Sequence, residues 1–129
     1  MLAAISVADE EPHVVETVSG LDMVLDKLTV QARDAPFIVN VELANGDSLG
    51  IGLGTDETIL SFTAGSLEAP YFASLGADEQ VEPLIEFTVG GQWTEFPRRN
   101  VVPLEEGRQA MREFVTTGQL SDAVRWEEV

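Results

Sequence analysis

Between Phe37 and Leu53 apolar residues take every second position, and a single turn tripeptide divides the run. Phe37, Val39, Val41 and Leu43 alternate with smaller or polar residues, Asn45-Gly46-Asp47 follows, and Leu49, Ile51 and Leu53 resume the alternation. Successive side chains of a strand point to opposite faces, so the pattern predicts an antiparallel hairpin with one apolar face. The same logic extends along the chain. Thr55-Asp56-Glu57 turns it into an apolar-polar run over Thr58 to Phe62, and Tyr71-Phe72-Ala73 after Pro70 reads as a further short strand. Ile85 to Val89 and Gln92 to Phe96 flank Gly90-Gly91 as a second tight hairpin. Val14-Val15 and Val18 around Glu16-Thr17 suit a short strand, and Ala123 to Val129 alternates at period two as a last one. Leu2 to Val7 is either an added edge strand or a loosely held arm.

Two segments break this rhythm with helical spacing. Leu21, Val24, Leu25, Leu28 and Ala32 form one apolar stripe, with Ser19 as the expected N-cap, Asp22 at capping-box spacing, and Asp34-Ala35-Pro36 as the stop. Pro103 opens the second helix, Glu105-Glu106 suit the positive end of its dipole, and Gly118 is a natural stop. Leu104, Ala110-Met111 and Phe114-Val115 supply its buried stripe. The expected fold is α+β: a mostly antiparallel sheet of about six to eight strands, with two helices (about 20–33 and 103–117) packed on one face. The 129 residues carry no internal repeat and no linker long enough to divide them, so one domain over 1–129 is expected.

Charge narrows the function. Seven Lys+Arg stand against 23 Asp+Glu, a formal net charge of −16, although the hydrophobic fraction of 44% is that of a globular protein rather than an acidic tail. The acids are dispersed; their longest run is Asp9-Glu10-Glu11. Such a surface repels nucleic acid and raises the association rate of a basic protein, unless it serves only solubility or salt adaptation. With no cysteine, disulfides and thiolate metal sites are excluded, and a reducing compartment suits the chain. No apolar stretch reaches the roughly 18–20 residues of a membrane span, and Met1-Leu2-Ala3-Ala4-Ile5 lacks a basic leader. A cytoplasmic place, with no membrane and no nucleic acid as partner, is the expectation.

Catalytic patterns are thin. His13 is the one histidine, beside Pro12 in an acidic segment, which leaves most triads and nearly all zinc sites without their parts. Among 23 acids some carboxylate pair always falls close, so no glycosidase reading follows. Gly50-Ile51-Gly52-Leu53-Gly54 lies inside a strand pattern without a following Lys-Ser/Thr, so it points to close packing or a bulge rather than a phosphate loop. No enzymatic activity and no cofactor are expected.

Binding chemistry is denser. After the Gly-Gly turn Trp93 and Glu95 share one strand face, with Thr94 and Phe96 on the other. Tryptophan is enriched in binding hot spots and a neighbouring carboxylate answers a cation; alternatively, Trp93 is core and Glu95 pairs with Arg98 or Arg99. Trp126-Glu127 repeats the pair, there with the buried aromatic that ties down a terminal strand as the stronger reading. Tyr71-Phe72 sends one ring inward and one outward. Loop acids Asp47, Asp56, Glu57, Asp78 and Glu79 supply a charged rim around an aromatic centre. The expected partner-binding residues are therefore Trp93, Glu95, Tyr71, Asp47, Asp56, Glu57, Asp78 and Glu79.

The order of these motifs is that of a known family. Val-Glu-Thr-Val-Ser-Gly-Leu-Asp over 15–22, Pro70-Tyr71-Phe72-Ala73, Gly90-Gly91-Gln92-Trp93-Thr94-Glu95-Phe96-Pro97-Arg98-Arg99-Asn100 and the Val-Arg-Trp-Glu-Glu ending are its marks. From about Val14 to Val129 the chain resembles the first-described class of immunity proteins of bacterial polymorphic toxin systems, common in actinobacteria and often encoded beside deaminase toxins. The resemblance implies a small α+β protein that neutralises a cognate toxin domain by blocking its active site or substrate channel. Joined to the charge, it implies a basic, nucleic-acid-modifying toxin as partner, bound one-to-one by a monomer or weak homodimer. A non-toxin interaction module or dimeric adaptor is the alternative, and a small hydrolase or ligand-binding protein a third.

Overall fold

A computed structural model describes residues 1–7, 10–68, 70–76, 84–89 and 92–129. The elements run β1 (Ala3–Ser6), β2 (His13–Val15), α1 (Val18–Ala32), β3 (Phe37–Glu42), β4 (Ser48–Leu53), β5 (Glu57–Thr58) and β6 (Leu60–Thr63). They continue β7 (Phe72–Leu75), β8 (Ile85–Val89), β9 (Gln92–Phe96), a 3₁₀ turn (Arg98–Asn100), β10 (Val102–Pro103), α2 (Leu104–Thr117) and β11 (Arg125–Glu128). This is the α+β class expected, with eleven short strands among the described residues rather than six to eight.

The main sheet runs β11-β7-β6-β4-β3-β1-β2, antiparallel at every step, and β5 pairs with β10 in a separate ribbon. β4 occupies one edge of β3 along its whole length, while β1 takes Asn40 to Glu42 on the other. The free start of that second edge is taken by β8, parallel to β3 at Phe37 and Thr88, and β9 returns antiparallel on β8.

The expected alternation decides which face is core. Val39, Val41, Leu49, Ile51 and Leu53 are buried beneath Leu21, Leu25, Leu28 and Ala32 of α1 and Ala110, Met111, Phe114 and Val115 of α2. Both helices thus lie on one face of the sheet. The opposite face is covered at one end by the β8–β9 hairpin, through a smaller cluster of Ile59, Phe87 and Val101 flanked by Ile38, Ile85 and Phe96. The glycine-rich stretch serves this contact: a Cβ on Gly52 would stand 2.5 Å from the Phe87 ring. Close packing, one of the two expectations for that stretch, is what it provides.

The helices are also joined by charge. Arg108 Nη2 donates to Asp22 (3.1 Å) and Asp26 (3.0 Å), and Arg112 Nε to both oxygens of Asp22 (3.0 and 3.1 Å). Burial raises the Asp22 pKa, but hydrogen bonds and charge from Arg108 and Arg112 outweigh it and hold the group below its ordinary value.

Several local expectations are corrected. Leu2 to Val7 is neither edge nor arm, because β1 lies inside the sheet between β3 and β2. Val18 begins α1 instead of ending a strand, and Thr17 rather than Ser19 is the cap, extended at φ −137° with its hydroxyl accepting from Gly20 N at 3.0 Å. With Thr17 as the cap, Gly20 and not Asp22 stands at the position a capping box needs, and Asp22 binds both arginines of α2 instead. The run Thr58 to Phe62 is two strands, not one. Thr58 hydroxyl accepts from Gly52 N (2.9 Å) and donates to Gly52 O (2.8 Å), while its backbone pairs with Val102. Tyr71 precedes β7, and β11 begins only at Arg125. Pro103 does cap α2, and Gly118 closes it in the left-handed region at φ +76°, donating to Phe114 O.

A candidate partner-binding face

The β8–β9 hairpin has two chemically different faces, fixed by its register. Phe87 stands opposite Thr94 and Ile85 opposite Phe96 on the face turned to the sheet; Phe87 and Phe96 meet edge-on at 6.2 Å. On the outer face Trp93 stands opposite Thr88, and Glu95 opposite Glu86. Trp93 is 64% exposed, so it is not core. Neither arginine proposed for Glu95 pairs with it: Arg98 Nη1 donates to both Glu57 oxygens (2.9 and 2.8 Å), and Arg99 Nε to Glu127 (3.0 Å). Glu86 and Glu95 therefore oppose each other with no cation beside either among the described residues. Like charges in that relation destabilise a hairpin by about 0.2–1 kcal/mol. Leu84 to Phe96 contains no Lys or Arg at all.

Beneath the hairpin lies a cleft of about 470 Å³ lined by Ser6, Ile38, Asn40, Gly50, Ser61 and Thr63 from the sheet, and Val89, Thr94 and Phe96 from the hairpin. No cation lines it.

The other expected residues are dispersed. Asp47 and Asp56 lie beyond opposite ends of β4, about 20 Å apart along a six-residue strand. Asp47 Oδ1 accepts from Gly65 N at 2.9 Å and so ties the β3–β4 turn to the loop after β6. Asp56 is exposed, and its carbonyl accepts from Leu104 N at the start of α2. Glu57 is held by Arg98. Tyr71 is 38% exposed with its hydroxyl donating to Leu67 O (2.6 Å), and Phe72 packs inward against Phe62. Asp78 and Glu79 lie outside the described residues, as does the Gly90-Gly91 turn. Among the described residues no group of three or more His, Asp or Glu side chains is placed to hold a metal ion. Nor is any described helix long and apolar enough to cross a membrane.

The family model described as Immunity protein Imm1 matches residues 9–128. The chain belongs to the Imm1 immunity protein family. No curated protein matches it. In this Imm1 protein two of the stretches that carried the resemblance meet in space. Asn100 Nδ2 donates to Glu127 Oε1 (2.7 Å) and to Ser74 O (2.8 Å), while Ser74 Oγ donates back to Asn100 O (2.7 Å). The bonds from Asn100 and Arg99 hold the Glu127 pKa below its ordinary value. Trp126 is half-buried against the main core, its Nε1 donating to Ser121 O (2.8 Å). Arg99, Asn100 and Glu127 thus tie β11 to the root of the hairpin, while Trp126 anchors β11 to the main core.

Two groups of functional candidates escaped the sequence reading. Glu86 follows from register alone: Val89 pairs with Gln92, and Glu86 therefore with Glu95. The cleft residues come from four strands, and no linear signal joins them.

Proposed function

We propose that this immunity protein neutralises a basic polymorphic-toxin domain, one that deaminates or cleaves nucleic acid, by covering its active face. The observation that carries the reading is the outer face of the β8–β9 hairpin. It offers an exposed Trp93 beside two uncompensated carboxylates, Glu86 and Glu95, on a chain of net charge −16. A toxin that grips phosphates must present Lys or Arg where its substrate lies, and a carboxylate-bearing surface meets those cations as the substrate would. Trp93 supplies the desolvated anchor around which such a pair gains strength. Asp56 at one end of the sheet and Asp47 at the other add further carboxylates to the proposed surface, with Tyr71 as a second partly exposed aromatic, while Glu57 is already paired with Arg98 and Asp78 and Glu79 enter the proposal only as acids of the sequence.

The mechanism is occlusion, led by electrostatic steering; no bond to the toxin is made or broken. Steering is screened with a Debye length of about 10 Å at 0.1 M salt. The protein used as bait in a lysate of its host should therefore retain a basic toxin domain at low salt and release it at high salt. Retention only of itself, or of a neutral partner indifferent to salt, defeats the reading and favours an adaptor.

A further inference from the structure

The cleft under the hairpin has a property the outer face lacks. Its floor is a row across four adjacent strands, Ser61, Gly50, Asn40 and Ser6, successive cross-strand neighbours in the sheet register. Three strand spacings make this row about 14 Å long. At its centre Gly50 raises no side chain, and Thr63 stands in the next row. Several hydroxyls elsewhere in the fold are spent internally: Thr29, Thr58, Ser74, Thr116, Thr117 and Ser121 donate to carbonyls or carboxylates, whereas Ser19, Ser48 and Thr88 stand singly with no side-chain bond among the described residues. Among the described residues the side chains of Ser6, Asn40, Ser61 and Thr63 make no hydrogen bond. Val89 and Phe96 form an apolar wall opposite these polar groups.

We infer that this cleft receives a protruding loop of the toxin, inserted between hairpin and sheet, with a Lys or Arg of the loop directed to Glu42. The inference rests on the toxin-binding reading above. A peptide segment carries what the cleft lacks: amide donors and carbonyl acceptors for the unspent hydroxyls and Asn40, and side chains to lie on the apolar wall. The volume is within the roughly 300–1,000 Å³ that encloses a drug-sized molecule, so a few residues of chain fit. Charge sets the sign of the occupant. Among the described residues no Lys or Arg lines the cleft, and exposed Glu42 lies in the adjoining row of the same face, beside Ser48 and Ala4. Binding is therefore an insertion as well as a cover, and loop shape as well as charge selects the toxin.

The absence of cysteine makes the test clean. Ser61→Cys places one thiol on the exposed part of the floor, and Thr116→Cys places one on exposed α2, which packs on the other face. The probe is the protein that wild type retains at low salt, eluted with high salt and purified. With that protein at roughly 100 times its Kd, Ser61→Cys should react with a maleimide about 100-fold more slowly than when free, because only the unbound fraction reacts. Thr116→Cys should react at an unchanged rate, and Ser61→Trp, which fills the floor, should lose retention while keeping a cooperative melt. If Ser61→Cys stays fully reactive in a complex that Trp93→Ala abolishes, the partner lies on the outer hairpin face alone and insertion is wrong. If wild type retains nothing, the toxin-binding reading falls and insertion falls with it.

Discussion

Replacing Gly52 by alanine tests whether the hairpin is held by the contact assigned to it. The added Cβ would lie 2.5, 2.6 and 2.9 Å from three atoms of the Phe87 ring. Ordinary contact begins near 3.4 Å, so the ring must retreat by most of an ångström. It has no room to slide, being fully buried, edge-on to Phe96 and packed with Ile59 and Val101. The hairpin itself must lift. Overpacking of this kind costs about 1–3 kcal/mol. Three contacts this short put the cost in the upper part of that range, about 2–3 kcal/mol, and alanine in place of a strand glycine returns about 0.5–1 kcal/mol of backbone entropy, which leaves a net loss of about 1–2.5 kcal/mol. At about 2.1 cal/mol/K of unfolding entropy per residue, this is a fall in Tm of roughly 4–9 °C. Urea unfolding of wild type, Gly52→Ala, Phe87→Leu and the double variant gives the coupling directly. The double variant should be more stable than the two single losses added together, by about 1 kcal/mol, because the shorter side chain makes way for the methyl group. An unchanged midpoint for Gly52→Ala, or strict additivity, would refute the claim that the hairpin rests on this glycine.

Three further outcomes are expected. Asn100→Ala removes donors from the Ser74 carbonyl and Glu127, leaves a buried acceptor unpaired, and should cost about 2–3 kcal/mol in urea unfolding. The folded pKa values of Asp22 and Glu127 are both lowered, so the stability they provide is complete above the ordinary carboxylate range and is lost as pH falls through the folded values, below about pH 4. Asp22→Asn/Glu127→Gln should accordingly be less stable than wild type at neutral pH and lose less on acidification, which midpoints at neutral and at acid pH will show. Glu86→Gln should stabilise the hairpin by about 0.2–1 kcal/mol in thermal melts while slowing association with a captured toxin; a variant gaining both stability and rate contradicts the assigned role.

What could be read in the sequence was local and periodic. Phe37 to Leu53, Ile85 to Phe96 and the stripes of both helices carry their period and their turns within one short window, and they fold as that period requires. The misreadings arose where a distant residue decides. Thr58 breaks its strand because its hydroxyl is claimed by Gly52, and β1 lies inside the sheet because β2 folds back outside it. Arg98 and Arg99 were within three and four residues of Glu95, yet Glu57 and Glu127, 41 and 28 residues away, hold them. The exposed Trp93 was open to sequence reasoning because a strand after a tight turn fixes which side chains share a face. The cleft was not, since Ser6, Asn40, Gly50 and Ser61 become neighbours only through strand order and register.

The two faces of the sheet also differ in how freely they can change. Beneath the helices Val39, Val41, Leu49, Ile51, Leu53 and Leu60 are buried aliphatic side chains whose truncation leaves a cavity and costs about 2–5 kcal/mol. On the opposite face Ser6, Asn40, Ser61 and Thr63 make no side-chain hydrogen bond among the described residues, so exchanging them should shift stability by about 0.5 kcal/mol or less. Under the insertion proposed above, the scaffold keeps foldedness apart from recognition: a lineage facing a new toxin could rewrite these four positions at little cost in stability and so reach a different specificity.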